Sequence, residues 1–185
     1  MVDLLRRTAL LVSSFVVPAV KQGQATTSEE AWGFSFDALE GGSLPLEQFR
    51  GRVLLVVNTA SFCGFTPQYA ALQHLHEQHE ARGLTVIGVP STDFGQESTE
   101  TAKVREFCEA QFNISLPMAG LTHVRGAGAH PFFRWAAAQA GPVRWNFHKY
   151  LVARDGRRVT GFTTRVAPDS AALTRALDEA LAASA

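Results

Sequence analysis

Cysteine is scarce in this chain. Its 185 residues include two, Cys63 and Cys108, which form neither a C-x-x-C pair nor a zinc-type cluster and are too few to staple a small secreted scaffold. Buried bystanders, one structural bridge and a working redox couple all remain open for them. An excess of charge is missing too, with 17 basic against 17 acidic residues and no long run of one sign. That balance argues against a binder of nucleic acid or acidic surfaces. Nor does any apolar stretch reach the roughly 20 residues of a membrane-spanning helix. No repeat or linker divides the chain, and an apolar fraction of 46% supplies the core of a single domain.

The first 25 residues stand apart from the rest. Arg6 and Arg7 precede an apolar run over Thr8–Val20, and Gly23-Gln24-Ala25 puts small residues ahead of a polar stretch. That order is the layout of a secretory signal peptide. Residues 1–25 are therefore expected to be removed, leaving residues 26–185 as one periplasmic or secreted domain. Asp3, Pro18 and Lys21 interrupt the pattern; the alternative is an amphipathic N-terminal helix on a cytoplasmic protein.

Beyond this segment, Phe34–Leu39 and Leu44–Phe49 flank Gly41-Gly42 and read as a hairpin. Val53–Val57 (VLLVV) and Leu84–Val89 (LTVIGV) are continuous apolar runs, as expected of strands buried on both faces. Between them Pro67–Arg82 carries Tyr69, Leu72 and Leu75 on one helical side and stops at Gly83. This strand–helix–strand unit predicts a parallel pair. Ser98 or Thr99 is expected to cap a helix running to about Phe112, and Ala129–Gln139 gives another. Phe147–Ala153 and Arg157–Phe162 read as strands joined through Asp155-Gly156. A last helix opens at Pro168, Asp169 or Ser170 and carries Leu173, Leu177 and Leu181 at helical spacing. The order is that of a thioredoxin-like α/β domain, with a central mixed sheet flanked by helices and an N-terminal β-hairpin.

Cys63 follows the first core strand and precedes the helix at Pro67, so its sulfur is expected near a helix N-terminus, where unpaired amides favour an anion. The thiolate is the form that attacks a peroxide oxygen. Thr66 stands where a C-x-x-C motif has its second cysteine, which excludes a thioredoxin-type dithiol. Position alone fits a buried strand-end cysteine equally well.

Four stretches in register decide between these readings. They are Asn58-Thr59-Ala60-Ser61-Phe62-Cys63-Gly64-Phe65-Thr66-Pro67-Gln68-Tyr69, then Gly88–Glu97, then Phe107-Cys108 with Leu116-Pro117-Met118, and finally Trp145-Asn146-Phe147-His148-Lys149-Tyr150-Leu151-Val152. From about Phe34 onward the chain resembles the glutathione peroxidase family. The resemblance implies a peroxidase reducing hydrogen peroxide and organic or lipid hydroperoxides, with Cys63, Gln96, Trp145 and Asn146 as its catalytic group. Two amides and an indole N–H are uncharged donors. Aimed at the sulfur, they would stabilise the thiolate and then the oxygen anion that leaves as the O–O bond breaks.

Cys108 occupies the place of the resolving cysteine in two-cysteine members of the family, after a phenylalanine on the helix that follows the glutamine loop. The implied cycle takes Cys63 to a sulfenic acid, condenses it with Cys108 to a disulfide, and ends with reduction by an external thiol. No resident cofactor is implied; the reductant is thioredoxin, a thioredoxin-like protein or glutathione. An inert Cys108, a static Cys63–Cys108 bridge in a binding protein, and a peroxide sensor that relays its disulfide stay open.

The chain also departs from the family pattern. Phe94-Gly95-Gln96-Glu97 is one residue shorter than the common Phe-Gly-x-Gln-Glu, which leaves the reach of Gln96 to be settled by geometry. Ser91-Thr92-Asp93 replaces Cys-Asn-Gln, and Phe62 replaces a lysine beside Cys63. The short segment Ala140–Arg144 lacks the insertion of tetrameric members, so a monomer with a site open to bulky substrates is expected. His74, His76 and His79 cannot converge on a metal, because positions 74 and 76 of a helix lie about 200° apart.

Overall fold

The computed structural model describes residues 30–112 and 114–183; the expected signal segment, residues 1–25, lies outside them. A short hairpin comes first, β1 (Ser35–Asp37) antiparallel to β2 (Ser43–Pro45). The main sheet follows with β3 (Val53–Thr59), β4 (Leu84–Pro90), β5 (Lys149–Val152) and β6 (Val159–Phe162), in the order β4-β3-β5-β6. Helix α1 (Gln68–His79) crosses between β3 and β4, α2 (Thr101–Phe112) and α3 (Pro131–Ala140) fill the connection to β5, and α4 (Ala171–Ala182) ends the fold. This is the expected thioredoxin-like arrangement, hairpin included.

Every residue of β3 and β4 is buried, because helices cover both faces of this parallel pair. Side chains alternate along β3, as the two-residue period of a strand demands. Val53, Leu55 and Val57 face Tyr69, Leu72, Leu173 and Leu177, whereas Leu54 and Val56 face Phe36, Phe132 and Phe133. Strand direction then places the loops. β3 runs parallel to β4 and antiparallel to β5. The ends of β3 and β4 and the start of β5 therefore meet at one edge of the sheet, and the segments carrying Cys63, Gln96 and Asn146 all leave from that edge.

Several boundaries differ from the sequence reading, each for a local reason. Leu46–Phe49 is a 3-10 turn that buries Leu46, whose N–H donates to Phe34 O at 2.9 Å. The chain after α1 tightens into a second such turn, Glu80–Arg82, closed by Gly83 at φ 99°. Ser98 does not cap α2; its hydroxyl accepts from Glu100 N–H at 3.1 Å, just before the helix. His130 caps α3, its Nδ1 accepting from Phe132 N–H at 3.2 Å, with Pro131 at the first helical position. Ser170 caps α4 as expected. β5 begins two residues later than predicted because Phe147 takes φ 61°, which ends extended backbone.

The loop joining β5 to β6 anchors the N-terminal turn. Asp155 Oδ1 accepts from the N–H groups of Arg157 and Arg158 at 2.9 and 3.2 Å, and Gly156 O accepts from Ala31 N–H at 2.7 Å. Gly156 has φ 68°, and a Cβ there would lie 2.3 Å from the Trp32 indole nitrogen. Gly156→Ala is expected to destabilise the fold by about 1–3 kcal/mol through backbone strain and displacement of Trp32. Urea unfolding should show a lower midpoint with an unchanged m-value; an unchanged midpoint would sink this account.

Candidate active site

Cys63 is buried in a tight turn between β3 and α1. Its N–H donates to Thr66 Oγ1 at 3.0 Å, its C=O accepts from Thr66 N–H at 3.0 Å, and the Thr66 hydroxyl donates to Ala60 O at 2.9 Å. Thr66, in the position of a second C-x-x-C cysteine, thus spends its side chain closing the turn. The Cys63 sulfur accepts from Phe65 N–H at 3.5 Å. α1 begins five residues later, at Gln68, so the amide that meets the sulfur belongs to the turn ahead of the helix rather than to its first turn.

The shortened loop still delivers Gln96. Its C=O accepts from Phe62 N–H at 2.9 Å, which ties it to the residue before Cys63. Its side-chain Oε1 accepts from Asn146 Nδ2 at 3.0 Å. With Oε1 engaged, the Gln96 NH2 makes no hydrogen bond to any described residue and is free to donate elsewhere. Asn146 is fully buried, and Thr164 Oγ1 donates to its C=O at 2.6 Å. The adjacent Trp145 packs on Phe94 with ring centroids 5.2 Å apart. Phe94 is covered in turn by the Arg125 guanidinium, 4.5 Å from its ring centre, a cation–π contact.

Asp93 braces this loop. Its carboxylate meets His123 Nδ1 at 2.6 Å and accepts from Val124 N–H at 2.7 Å and Arg125 N–H at 3.2 Å. Burial works against the charge, yet these partners hold the carboxyl below its ordinary value. The residue that departs from the family pattern is therefore the one that pins the shorter loop. Phe62 and Trp145 are 68% and 40% exposed and are the exposed large hydrophobics among the described residues. Phe62 lies next to Cys63 in the turn and Trp145 adjoins Asn146, so two exposed apolar rings stand at this edge, with the Arg125 guanidinium behind Phe94.

Cys108 lies on the inner side of α2 and is buried and unbridged. Its thiol donates to Tyr69 Oη at 3.8 Å. Burial pushes the thiol up to about 11, against the opposing pull of the Tyr69 hydroxyl, so it stays protonated at neutral pH while α2 is folded. Glu97, next to Gln96, is also buried and accepts from Ser98 N–H at 2.8 Å; burial raises its carboxyl above the ordinary value. The three histidines of α1 are turned apart. His76 Nδ1 accepts from Val86 N–H at 3.3 Å in the interior, while His79 meets Arg82 at 2.9 Å on the surface.

A thioredoxin-type sheet thus brings a cysteine turn, a glutamine loop and a Trp-Asn segment to one edge, the layout expected of a thiol peroxidase. The comparisons with known proteins agree. The protein-family model described as Glutathione peroxidase matches residues 31–137. A Synechocystis sp. protein named hydroperoxy fatty acid reductase gpx1 is 39% identical over 160 residues, covering 80% of this chain and 95% of that one. The glutathione peroxidase-like peroxiredoxin GPX5 of Chlamydomonas reinhardtii is 36% identical over 149 residues, 77% of this chain and 92% of its own. Among solved structures, the crystal structure of Trgpx in apo form superimposes with a TM-score of 0.69 at 27% identity, covering 85% of this chain and 99% of that chain. The chain belongs to the glutathione peroxidase family and is a peroxidase-type oxidoreductase.

Sequence reasoning gave no role to Asn58, Glu97, Lys149 or Thr164, all of which are buried polar side chains at this edge. A lysine or asparagine inside an otherwise apolar strand is the signal that marks such residues. Lys149 is fully buried, and its Nζ donates to Phe147 O at 2.7 Å. Burial lowers its ammonium to about 8 from 10.5. Between those values the unfolded chain holds the proton that the folded protein has released, so Lys149 adds stability as pH rises. The Cys108 thiol, raised from 9.0 to about 11, acts in the opposite direction above pH 9. The stability contributed by these two groups should therefore climb between pH 8 and 9 and level off above. In denaturant titrations, the stability of wild type relative to Lys149→Met should increase from pH 8 to 10; a constant difference would remove the buried ammonium from the account.

Proposed function

We propose that the protein is a monomeric two-cysteine peroxidase that reduces hydrogen peroxide and organic or lipid hydroperoxides. The observation that carries this reading is the bond from Asn146 Nδ2 to Gln96 Oε1 together with the tie from Gln96 to the backbone beside Cys63. The Cys63 thiolate attacks the peroxide, the O–O bond breaks, an alcohol or water leaves with a proton, and a sulfenic acid remains on Cys63. The Gln96 amide, the Trp145 indole N–H and the Asn146 amide stabilise the departing oxygen as uncharged donors. The Cys108 thiol then attacks the sulfenic sulfur, forming the disulfide and releasing water. An external dithiol, thioredoxin or a thioredoxin-like protein, with glutathione as the alternative, reduces the bridge by exchange. No resident cofactor enters the cycle.

The bare rim of Phe62 and Trp145 suits acyl-chain hydroperoxides, in keeping with the relative named a hydroperoxy fatty acid reductase. The short Ala140–Arg144 segment supports the monomer. The layout of residues 1–25 supports export, with a cytoplasmic location as the alternative.

An NADPH-coupled assay with thioredoxin and with glutathione in parallel tests the cycle. Cys63→Ser should stay folded and lose turnover altogether. Cys108→Ser should still consume one equivalent of peroxide but lose thioredoxin-dependent turnover; full turnover in that variant would make the two-cysteine cycle wrong.

A second expectation concerns motion. The Cys108 thiol is held under α2 and kept protonated, so bridge formation requires α2 to open. Hydrogen exchange should show lost amide protection across residues 100–112 in the peroxide-oxidised protein relative to the reduced one. Unchanged protection would exclude the opening.

A further inference from the structure

The Trp145–His148 segment carries two of the site's donors, and one residue of β3 holds it from both ends. Asn58 is fully buried at the edge where β3 gives way to the Cys63 turn. Its side-chain Nδ2 donates to Trp145 O at 3.2 Å, and its Oδ1 accepts from His148 N–H at 3.0 Å. Its backbone C=O accepts from Phe147 N–H at 2.6 Å, and its backbone N–H donates to His148 O at 3.3 Å. All four polar groups of Asn58 are thus spent on the residues that bracket Asn146. Two further donors complete the set, Thr164 Oγ1 to Asn146 O at 2.6 Å and Lys149 Nζ to Phe147 O at 2.7 Å. Each of the four carbonyls from Trp145 to His148 therefore has its own partner.

The segment needs such holding. Phe147 has φ 61°, a left-handed conformation that a residue with a bulky side chain adopts only when its surroundings impose it. Its ring is wedged edge-on against Tyr69, with centroids 5.5 Å apart at 90°. Asn146 Nδ2 must meet Gln96 Oε1 at 3.0 Å while the indole of Trp145 stays at the rim, and that arrangement depends on the backbone of Phe147 keeping its turn.

We propose that Asn58 is a positioning residue for the peroxide-reducing step: its amide fixes the strained Trp145–His148 turn, and through it the orientation of the Trp145 and Asn146 donors toward Cys63. An amide is required because one end must donate to a carbonyl while the other accepts from an N–H. Leucine supplies neither. Ionised aspartate supplies the acceptor and sets a negative charge against Trp145 O. This rests on the peroxidase reading with Cys63 as the nucleophile, and it extends that reading to a residue that need touch neither sulfur nor peroxide.

The test separates the two halves of the catalytic cycle. Stopped-flow measurement gives the rate of Cys63 oxidation by peroxide in the reduced protein and, separately, the rate at which thioredoxin reduces the oxidised protein. Asn58→Leu should slow oxidation by roughly 100-fold, the scale of a misplaced catalytic group, and leave the reductive step unchanged. Asn58→Asp should also be slow near pH 8. Its rate relative to wild type should recover toward pH 5, because a protonated buried carboxyl again donates from one oxygen and accepts at the other. Thr164→Val removes only the bond to Asn146 O and should slow oxidation less; it serves as the test if the Asn58 variants do not fold.

Several outcomes overturn the proposal. These are wild-type oxidation rates in folded Asn58 variants, an equal fall in both half-reactions, a ratio for Asn58→Asp that does not change with pH, or, where Thr164→Val is the only folded variant, an unchanged oxidation rate. A wild-type protein whose Cys63 does not react with peroxide overturns the peroxidase reading itself. Normal wild-type oxidation with indifferent Asn58 variants overturns only the positioning role.

Discussion

The site depends on the direction in which three strands run. β3 is hydrogen-bonded along one side to a parallel partner and along the other to an antiparallel one. That pairing brings the ends of β3 and β4 and the start of β5 to a common edge. Three segments more than 80 residues apart in sequence at their extremes, from Cys63 to Asn146, become neighbours for this reason alone. The burial of β3 and β4 on both faces makes the register hard to change, since a slip of one residue would exchange the two cores. A rigid edge is what the proposed chemistry requires, because donors that stabilise a departing oxygen work only if they are in place before the charge develops.

Much of this was legible in the sequence, and the reasons are physical. VLLVV and LTVIGV read as doubly buried strands because nothing polar interrupts them, and the structure contains both at nearly those limits. Cys63, Gln96, Trp145 and Asn146 could be singled out because the stretches that carry them resemble, in register, those of the glutathione peroxidase family. The geometry places Gln96 against Asn146 and ties it to Phe62, with Trp145 next in the chain to Asn146. The short glutamine loop was the least readable part. Its reach is explained by Asp93, whose carboxylate gathers the His123 side chain and the Val124 and Arg125 N–H groups around it, a partnership that no local pattern encodes.

What escaped the sequence was backbone conformation and the polar groups that enforce it. The φ of Phe147 is not a property of phenylalanine; it results from contacts with Asn58, Lys149 and Tyr69, which lie in or next to the sheet. Asn58 reads locally as the fraying end of an apolar strand, since its partners Trp145, Phe147 and His148 lie some 90 residues downstream. Likewise, a cysteine on the apolar side of a helix looks the same whether it is inert or reactive. The Tyr69 hydroxyl beside Cys108 becomes visible only once α1 and α2 are packed together.

That packing has a consequence for how such an enzyme fails. A sulfenic acid on Cys63 faces two competing fates, capture by a thiol or a second encounter with peroxide that carries it to an irreversible sulfinic acid. In the proposed cycle the capturing thiol is stored beneath a helix, out of reach until that helix gives way. The local stability of α2 then acts as a timer. A looser helix would rescue the sulfur sooner and keep the enzyme running under heavy oxidant load. A tighter one would let the protein disable itself as peroxide rises.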